Sequence, residues 1–495
     1  MSATSEAAAS SSVDASASAQ NYGTPRYRLY VLNALLLVYI LNFVDRGLLA
    51  IAAAPIKAEL GIDDTGFGLL TGFGFALLYT IVGIPVARLA ERKNRVRIIA
   101  VSVVIWSAMT AACGLSMDVT LFGLTIGGFW ILLLFRIGVG VGEAGCTPPA
   151  NSLIADYYIP QERSSALGYY AMGVTLGSML ASLIGGPITD AFGWRAAFFI
   201  LGLPGVAIGV LLMLTVKEPP RGYSDPPNAP KTERADFKAA MKELMSKPSY
   251  WTMTGGATVA AFCGYAIASF LTLYVVRTFG LTTGQAAVYF NTPAALASAI
   301  GTFALGWLAT RLRQRNVAAI AWLAAAGLAT SVPFYLVAFT TGIMWLCVLM
   351  LSLGGFVKYG YLAAQYTIGQ GVVSARVRAT STAVMLFVVN LLGYGLGPLF
   401  AGVVRDFWFN RGVAARDFAE PVDRAMCDGI QTLVSRARLS GEQALVEAPE
   451  VVQAFCLKAN AASTENSMIT LAIMYLAAAA FFVACARRLK QDLVA

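Results

Sequence analysis

Five charged side chains stand inside stretches that are otherwise apolar. NFVDRG places Asp45 and Arg46 side by side within the run 30–54. RIGVGVGE places Arg136 and Glu143 seven residues apart, which is two helical turns and therefore one helix face. GGFVKYG adds Lys358. A charge at the centre of a bilayer costs roughly 2.5–3.5 kcal/mol on insertion scales, and charges kept there mark ion or substrate pathways. The chain has no histidine, so the side chain that titrates most readily near neutrality is missing. Proton chemistry therefore falls to the carboxylates Asp45 and Glu143. Three cations against two carboxylates leave a shared cavity at net +1, which suits an anion. Protonating one carboxylate raises that charge, and each ligand then alters the binding of the other.

Polar stripes accompany the charges. Tyr361 and Gln365 follow Lys358 at i+3 and i+7, and Tyr39, Asn42 and Arg46 share one face of the first apolar run. Tyr265, Ser269 and Thr272 form a third stripe, and Asn390 with Tyr394 a fourth. With Arg46, Arg136 and Lys358, the residues Tyr39, Asn42, Tyr265, Tyr361, Gln365 and Asn390 are the candidate substrate contacts. Single polar residues in membrane helices also serve simply to join helices. The competing reading of Asp45–Arg46 is a structural ion pair between the first and fourth helices.

The elements that must position these residues are membrane helices. Of 495 residues, 57% are hydrophobic and 13% charged, against about 25% charged in an ordinary soluble protein. Twelve apolar spans are predicted: 30–54, 66–89, 96–116, 126–150, 164–190 and 195–216, then 251–276, 284–310, 317–340, 343–370, 378–404 and 467–487. This is an all-α polytopic fold of two six-helix units, 26–216 and 249–487, joined by a polar linker at 217–248. Short tails are expected at 1–25 (disordered) and 488–495. Lys and Arg concentrate in the loops on the side of the termini, which predicts cytoplasmic termini. The same rule accounts for the formal +9 without nucleic acid as a partner. No Cys/His spacing supports a metal, no cofactor is expected, and no nucleophile–base pair supports an enzyme.

A polar insertion at 405–466 holds Cys427 and Cys456, whereas the other five cysteines lie in apolar spans. DRAMCDGIQTLVSRARL reads as an amphipathic helix with Ile430, Leu433, Val434 and Ala437 on one face, and EVVQAFCLKA as a second. The expectation is a small cap on the non-cytoplasmic side with a Cys427–Cys456 disulfide, since disulfides persist there. Two unrelated thiols are the alternative.

The two halves repeat. GGPITD (185–190) matches AGVVRD (401–406) at an offset of 216, pairing Gly186 with Gly402 and Asp190 with Asp406. ERSSA (162–166) matches VRATS (377–381) at 215, and ARLAERKNR (87–95) loosely matches GWLATRLRQ (306–314) at 219. Lys358 lies 215 residues after Glu143. Duplicated helical units are the mark of transporters whose halves rock about a central site.

ARLAERKNR also resembles the loop signature of the major facilitator superfamily, with Ala87 and Asn94 where the signature has Gly, Glu91 where it has Asp, and Arg92 and Arg95 at its arginines. Asn is a common substitute for Gly where φ is positive. The resemblance implies that Glu91, Arg92 and Arg95 serve an inner gate. NFVDR and RIGVGVGEAGCTPPANSLIADYY, with DAFGWRAAFFILGLPG, are similar to the spinster branch, proton-linked carriers of lysophospholipids and sphingosine phosphate. That likeness implies a proton-coupled transporter of an amphipathic anion working by alternating access. Its membrane carboxylates fall on Asp45 and Glu143, and its arginines on Arg46 and Arg136. Organic-anion symporters carry similar segments, leaving a carrier of small organic anions as the alternative and a transport-dead sensor as a third reading. The antiporter signature Gly-Pro is replaced by Gly177-Ser178 in the fifth span, so the direction of coupling stays open. The expected partners are the bilayer, protons and a small amphipathic or anionic substrate. The expected location is a bacterial inner membrane.

Overall fold

The computed structural model of the protein describes residues 20–225, 237–374, 376–414, 422, 426–431, 433–434 and 449–492. Eleven helical stretches are long and apolar enough to cross a membrane. One of them, Pro160–Thr215, holds two passes. At Gly193 the backbone turns to φ 84 and ψ 161, a conformation that glycine adopts without strain. The total is therefore twelve passes, six before the linker and six after it.

Several ends differ from expectation. Residues 20–24 are packed rather than trailing: Tyr22 N donates to Tyr157 O, and Asn21 Oδ1 accepts from Ile159 N. Residues 1–19 lie outside the described set. The first helix begins earlier, at Pro25, because Thr24 caps it through Tyr27 N and proline suits the first turn. Part of the linker is itself a helix, Phe237–Met245, whose Glu243 accepts hydrogen bonds from Ser374 N and Oγ at 2.6 and 2.9 Å. The expected C-terminal tail continues the last helix to Asp492, which accepts from Ser249 N. EVVQAFCLKA is likewise no separate helix. Glu450–Asp492 runs unbroken, so the last pass starts well outside the membrane portion.

Two breaks bear on function. The fourth pass consists of Gly128–Glu143 and Thr147–Tyr157, the second opening on Pro148 and Pro149. Proline supplies no backbone N–H, so the ladder cannot continue through it. The tenth pass consists of Met344–Lys358 and Gly360–Gly371. Each break falls immediately after the intramembrane charge, Glu143 in one half and Lys358 in the other.

The halves meet most closely on the face opposite the termini, hereafter the far face. There Thr65 N and Oγ1 donate to Asp406, and Gly284 N donates to Asp190. Gly402 allows close approach, because a methyl there would meet the backbone of Asp64 and Thr65. Gly186 does the same for the other crossing, with Ala287 Cβ 2.7 Å from where its own would stand. Toward the terminus face the contacts thin out. Ile81, Ile84 and Leu89 of the second pass are about half exposed, whereas Phe67, Leu70, Phe75 and Ala76 are buried.

Candidate functional site

Asp45 and Arg46 are neighbours in sequence that part company in space. Arg46 Nε pairs with Glu143 Oε2 at 2.7 Å and joins the first pass to the fourth. Its guanidinium lies 5.1, 4.9, 5.0 and 5.9 Å from the rings of Phe43, Phe75, Tyr79 and Tyr394. Asp45 points to the third pass, where Thr110 Oγ1 donates to its Oδ2 at 3.2 Å. The ion pair between first and fourth helices is thus made by Arg46 and not by Asp45. Successive helical residues point about 100° apart, which is why adjacency did not pair them.

The group is buried and incompletely satisfied. Asp45, Arg136 and Glu143 are each 1% exposed. Among the described residues, Asp45 Oδ1, Glu143 Oε1 and Arg136 Nε and Nη1 have no hydrogen-bond partner. Arg136 instead lies over Phe75 at 5.4 Å. Two cations and two carboxylates balance in charge, yet a buried carboxylate oxygen without a donor is costly.

Tyr394 connects the halves. It belongs to a π-helical turn, Val389–Tyr394, a distortion found mostly at functional positions. Its ring contacts Phe75 at 5.4 Å and Tyr265 at 4.5 Å, so Tyr265 of the seventh pass reaches the Arg46 cage through it. Tyr39 stacks on Tyr170 at 4.5 Å, and Asn42 is buried one turn before Arg46. Asn390 is the second residue of the same π turn and is half-buried.

Lys358 sits apart from this group, within the second half. Its Nζ lies 5.6, 4.9 and 5.9 Å from the rings of Tyr335, Tyr359 and Tyr475, and no carboxylate of the described residues is within ion-pair distance. It ends its helix, where exposed carbonyls favour a cation. The interruption is the single residue Tyr359, at φ −71 and ψ −2, whose ring lies 4.9 Å from Lys358 Nζ and 6.4 Å from the Tyr361 ring. Tyr361 also faces Phe482, and among the described residues Gln365 is buried with Oε1 unpartnered.

On the terminus face, Glu91 and Arg92 are exposed, while Arg95 is buried within the first half. Arg95 pairs with Asp156 and, at 2.6 Å, with Glu218, and donates to Ser152. It ties together the ends of three passes of one half rather than facing the cleft. Asn94 has φ −64, not a positive value, and its side chain caps the third pass by accepting from Arg97 N at 2.8 Å. Its short polar side chain, not tolerance of left-handed backbone, explains its place there.

The far face holds a second charge cluster that motif reading did not single out. Asp64, fully buried, is in ion-pair contact with Lys57 at 2.8 Å, Arg277 at 3.1 Å and Arg405 at 2.7 Å. Arg405 also reaches Asp406 at 3.1 Å, Asp428 at 3.5 Å and Asn460. Asn460 Nδ2 donates to Cys427 O at 3.2 Å, and Arg277 donates to Thr464 at 2.9 Å. Cys427 and Cys456 form a disulfide within a small apolar cluster that includes Phe409, Val422 and Ile430. Residues 415–421, 423–425, 432 and 435–448 of the expected cap lie outside the described set.

Residues 35–398 match the family model of the Major Facilitator Superfamily. A protein described as an MFS-type efflux pump of Mycolicibacterium smegmatis is 32% identical over 77% of this chain and 85% of its own length. Protein spinster homolog 1 of Xenopus laevis is 26% identical over 77% and 74%. Among solved structures, a bacterial homolog to the human lysosomal transporter Spinster, in an inward-facing and unoccupied conformation, is 37% identical. It aligns with a TM-score of 0.83 over 96% of this chain and 100% of that one.

Proposed function

Because the chain belongs to the major facilitator superfamily, and within it to the spinster branch, we propose that it is a proton-coupled transporter of an amphipathic anion. The observation that carries this reading is the Arg46–Glu143 pair at the junction of the halves, with Asp45 and Arg136 buried beside it and incompletely bonded. Protonating Glu143 removes the charge that holds Arg46, and frees the guanidinium for an anionic headgroup. The aromatic cage of Phe43, Phe75, Tyr79 and Tyr394 offers apolar surface beside that cation. Cation and apolar wall together match a lysolipid-like substrate. Lys358, with no carboxylate partner among the described residues, is the second anion-attracting group.

Alternating access assigns the terminus face to the cytoplasm of a bacterial inner membrane, open in this conformation. Uptake into proteoliposomes tests the reading. Transport of a phosphate-headed lysolipid should depend on an imposed pH gradient, and Asp45→Asn with Glu143→Gln should remove that dependence. Wild-type pH dependence in the double variant would refute the coupling. Lys358→Ala should weaken binding of the phosphate-headed substrate about tenfold or more, the scale of a charge-assisted hydrogen bond, and its neutral analogue far less. Preferential transport of a small dicarboxylate would favour the organic-anion reading.

A further inference from the structure

The far-face cluster is not used by the coupling site, and its position gives it a separate task. Asp64 belongs to the first half, whereas Arg277 and Arg405 belong to the second. In a carrier that exposes its site to each side in turn, these contacts must break when the far side opens. Lys57, Arg277 and Arg405 balance Asp64, Asp406 and Asp428, three charges of each sign. Two of the groups that complete this balance come from the insertion: the Asp428 carboxylate on Arg405, and the Cys427 carbonyl, which holds Asn460 against Arg405.

Cys427 and Asp428 are adjacent, and the bridge to Cys456 fixes both to the outer extension of the last helix. Asn460 lies one turn beyond Cys456 on that helix. The bridge therefore sets the position of the whole edge that touches Arg405. Severing it removes the covalent tie between that helix and the segment of Asp428, leaving non-covalent contacts that include the ion pairs to Arg277 and Arg405 and a small apolar cluster.

Taking the ion pairs of Asp64 with Arg277 and Arg405 as the contacts that keep the far side shut, we infer that the Cys427–Cys456 bridge controls them by holding Asp428 and Asn460 against Arg405. The inference rests on the alternating-access reading and adds a redox-sensitive control to it. Reduction of the bridge releases Asp428, leaves the cluster with excess positive charge, and shifts the protein toward the far-open state.

The absence of histidine permits a clean measurement. Paired histidines that bind Cu(II) can be placed on exposed helical positions one turn apart: Trp130→His with Leu134→His in the first half, and Trp345→His with Leu349→His in the second. Pulsed EPR between the two copper sites then reads the far-face separation in nanodiscs, independent of substrate and of transport. Protein reduced, alkylated and freed of reductant should show a longer-distance population increased several-fold over the oxidised protein. Cys427→Ser with Cys456→Ser should match it, and Asp428→Asn, with the bridge intact, should move the same way by less. An unchanged distribution in alkylated protein, with loss of the bridge verified by mass spectrometry, would overturn the control by the disulfide. An unchanged distribution in Asp64→Asn would overturn the part given to the Asp64 ion pairs. Neither result depends on whether lysolipid is the substrate, which the uptake assay decides separately.

Discussion

The far face closes at two crossings related by the internal repeat. In one, the start of the second pass meets the end of the eleventh; in the other, the start of the eighth meets the end of the fifth. The backbone geometry is shared. Asp63 caps the second pass through Gly66 N, and Thr282 caps the eighth through Gln285 N. Asp406 accepts from Thr65 N at 3.1 Å, and Asp190 from Gly284 N at 2.7 Å. The charges are not shared. At the positions equivalent to Asp64 and Arg405 the other crossing has Thr283 and Thr189, and Thr189 Oγ1 bonds only its own helix, at Gly185 O. The repeat closes the far face twice, and one of the two copies carries the paired charges. Breaking a hydrogen-bonded crossing costs about 1 kcal/mol per bond, whereas separating a buried charge from its partners costs several. The crossing with paired charges is thus suited to decide whether the gate is shut, and the one held by Asp190 without an ion pair among the described residues to part more easily.

The largest effect should come from removing the centre of the charged crossing. Asp64→Ala leaves Lys57, Arg277 and Arg405 clustered around an empty position, and stranding a buried charge costs about 3–5 kcal/mol. We expect a lower Tm by thermal unfolding and a dominant long-distance population across the far face. Asp64→Ala combined with Arg405→Met should recover part of both, since removing two partners strands less charge than removing one. If Asp64→Ala behaves like a surface substitution, the two crossings do not differ in the way described.

A transplant should have the next largest effect. Thr283→Asp with Thr189→Arg copies the Asp64–Arg405 pair into the Asp190 crossing. A charge-assisted hydrogen bond there is worth about 1.5–3 kcal/mol, all of it in the closed far face. Transport should fall about tenfold or more while the far-face distance narrows to the short population. Undiminished transport with that pair formed would show that the fifth and eighth passes need not separate at all.

Legibility in the sequence followed the range of the interactions. Twelve spans were readable because an apolar run of about 20 residues has few other fates, and the repeat already paired Asp190 with Asp406 and Gly186 with Gly402. The breaks after Glu143 and Lys358 were not seen, although Pro148 and Pro149 signalled the first of them. Arg46 and Asp45 were read as one unit, yet the first bonds Glu143 and the second Thr110. Asp64 carries no motif of its own in GIDDTG, where two aspartates stand side by side. Asp63 caps the helix, which leaves Asp64 free to turn inward. Its partners lie 7, 213 and 341 residues away, at Lys57, Arg277 and Arg405, and no local pattern joins them.

The finest comparison substitutes the two equivalent carboxylates. Asp190→Asn keeps a side-chain oxygen for Gly284 N and loses only the charge, and Asn caps helices about as well as Asp. Asp190 has no ion pair among the described residues, so the change should cost about 0.5 kcal/mol or less, the usual scale for a substitution away from special features. Asp406→Asn also keeps the bond to Thr65, but it removes the carboxylate that Arg405 Nη1 meets at 3.1 Å. Hydrogen bonds to charged groups contribute about 1.5–3 kcal/mol, and Asp64 retains part of that for Arg405. Asp406→Asn should therefore cost about 1 kcal/mol more than Asp190→Asn. The pair can be read by far-face distance and thermal unfolding in the same nanodiscs. Equal shifts in the two variants would mean that Asp406 acts only as a cap, and that the asymmetry of the gate rests on Asp64 alone.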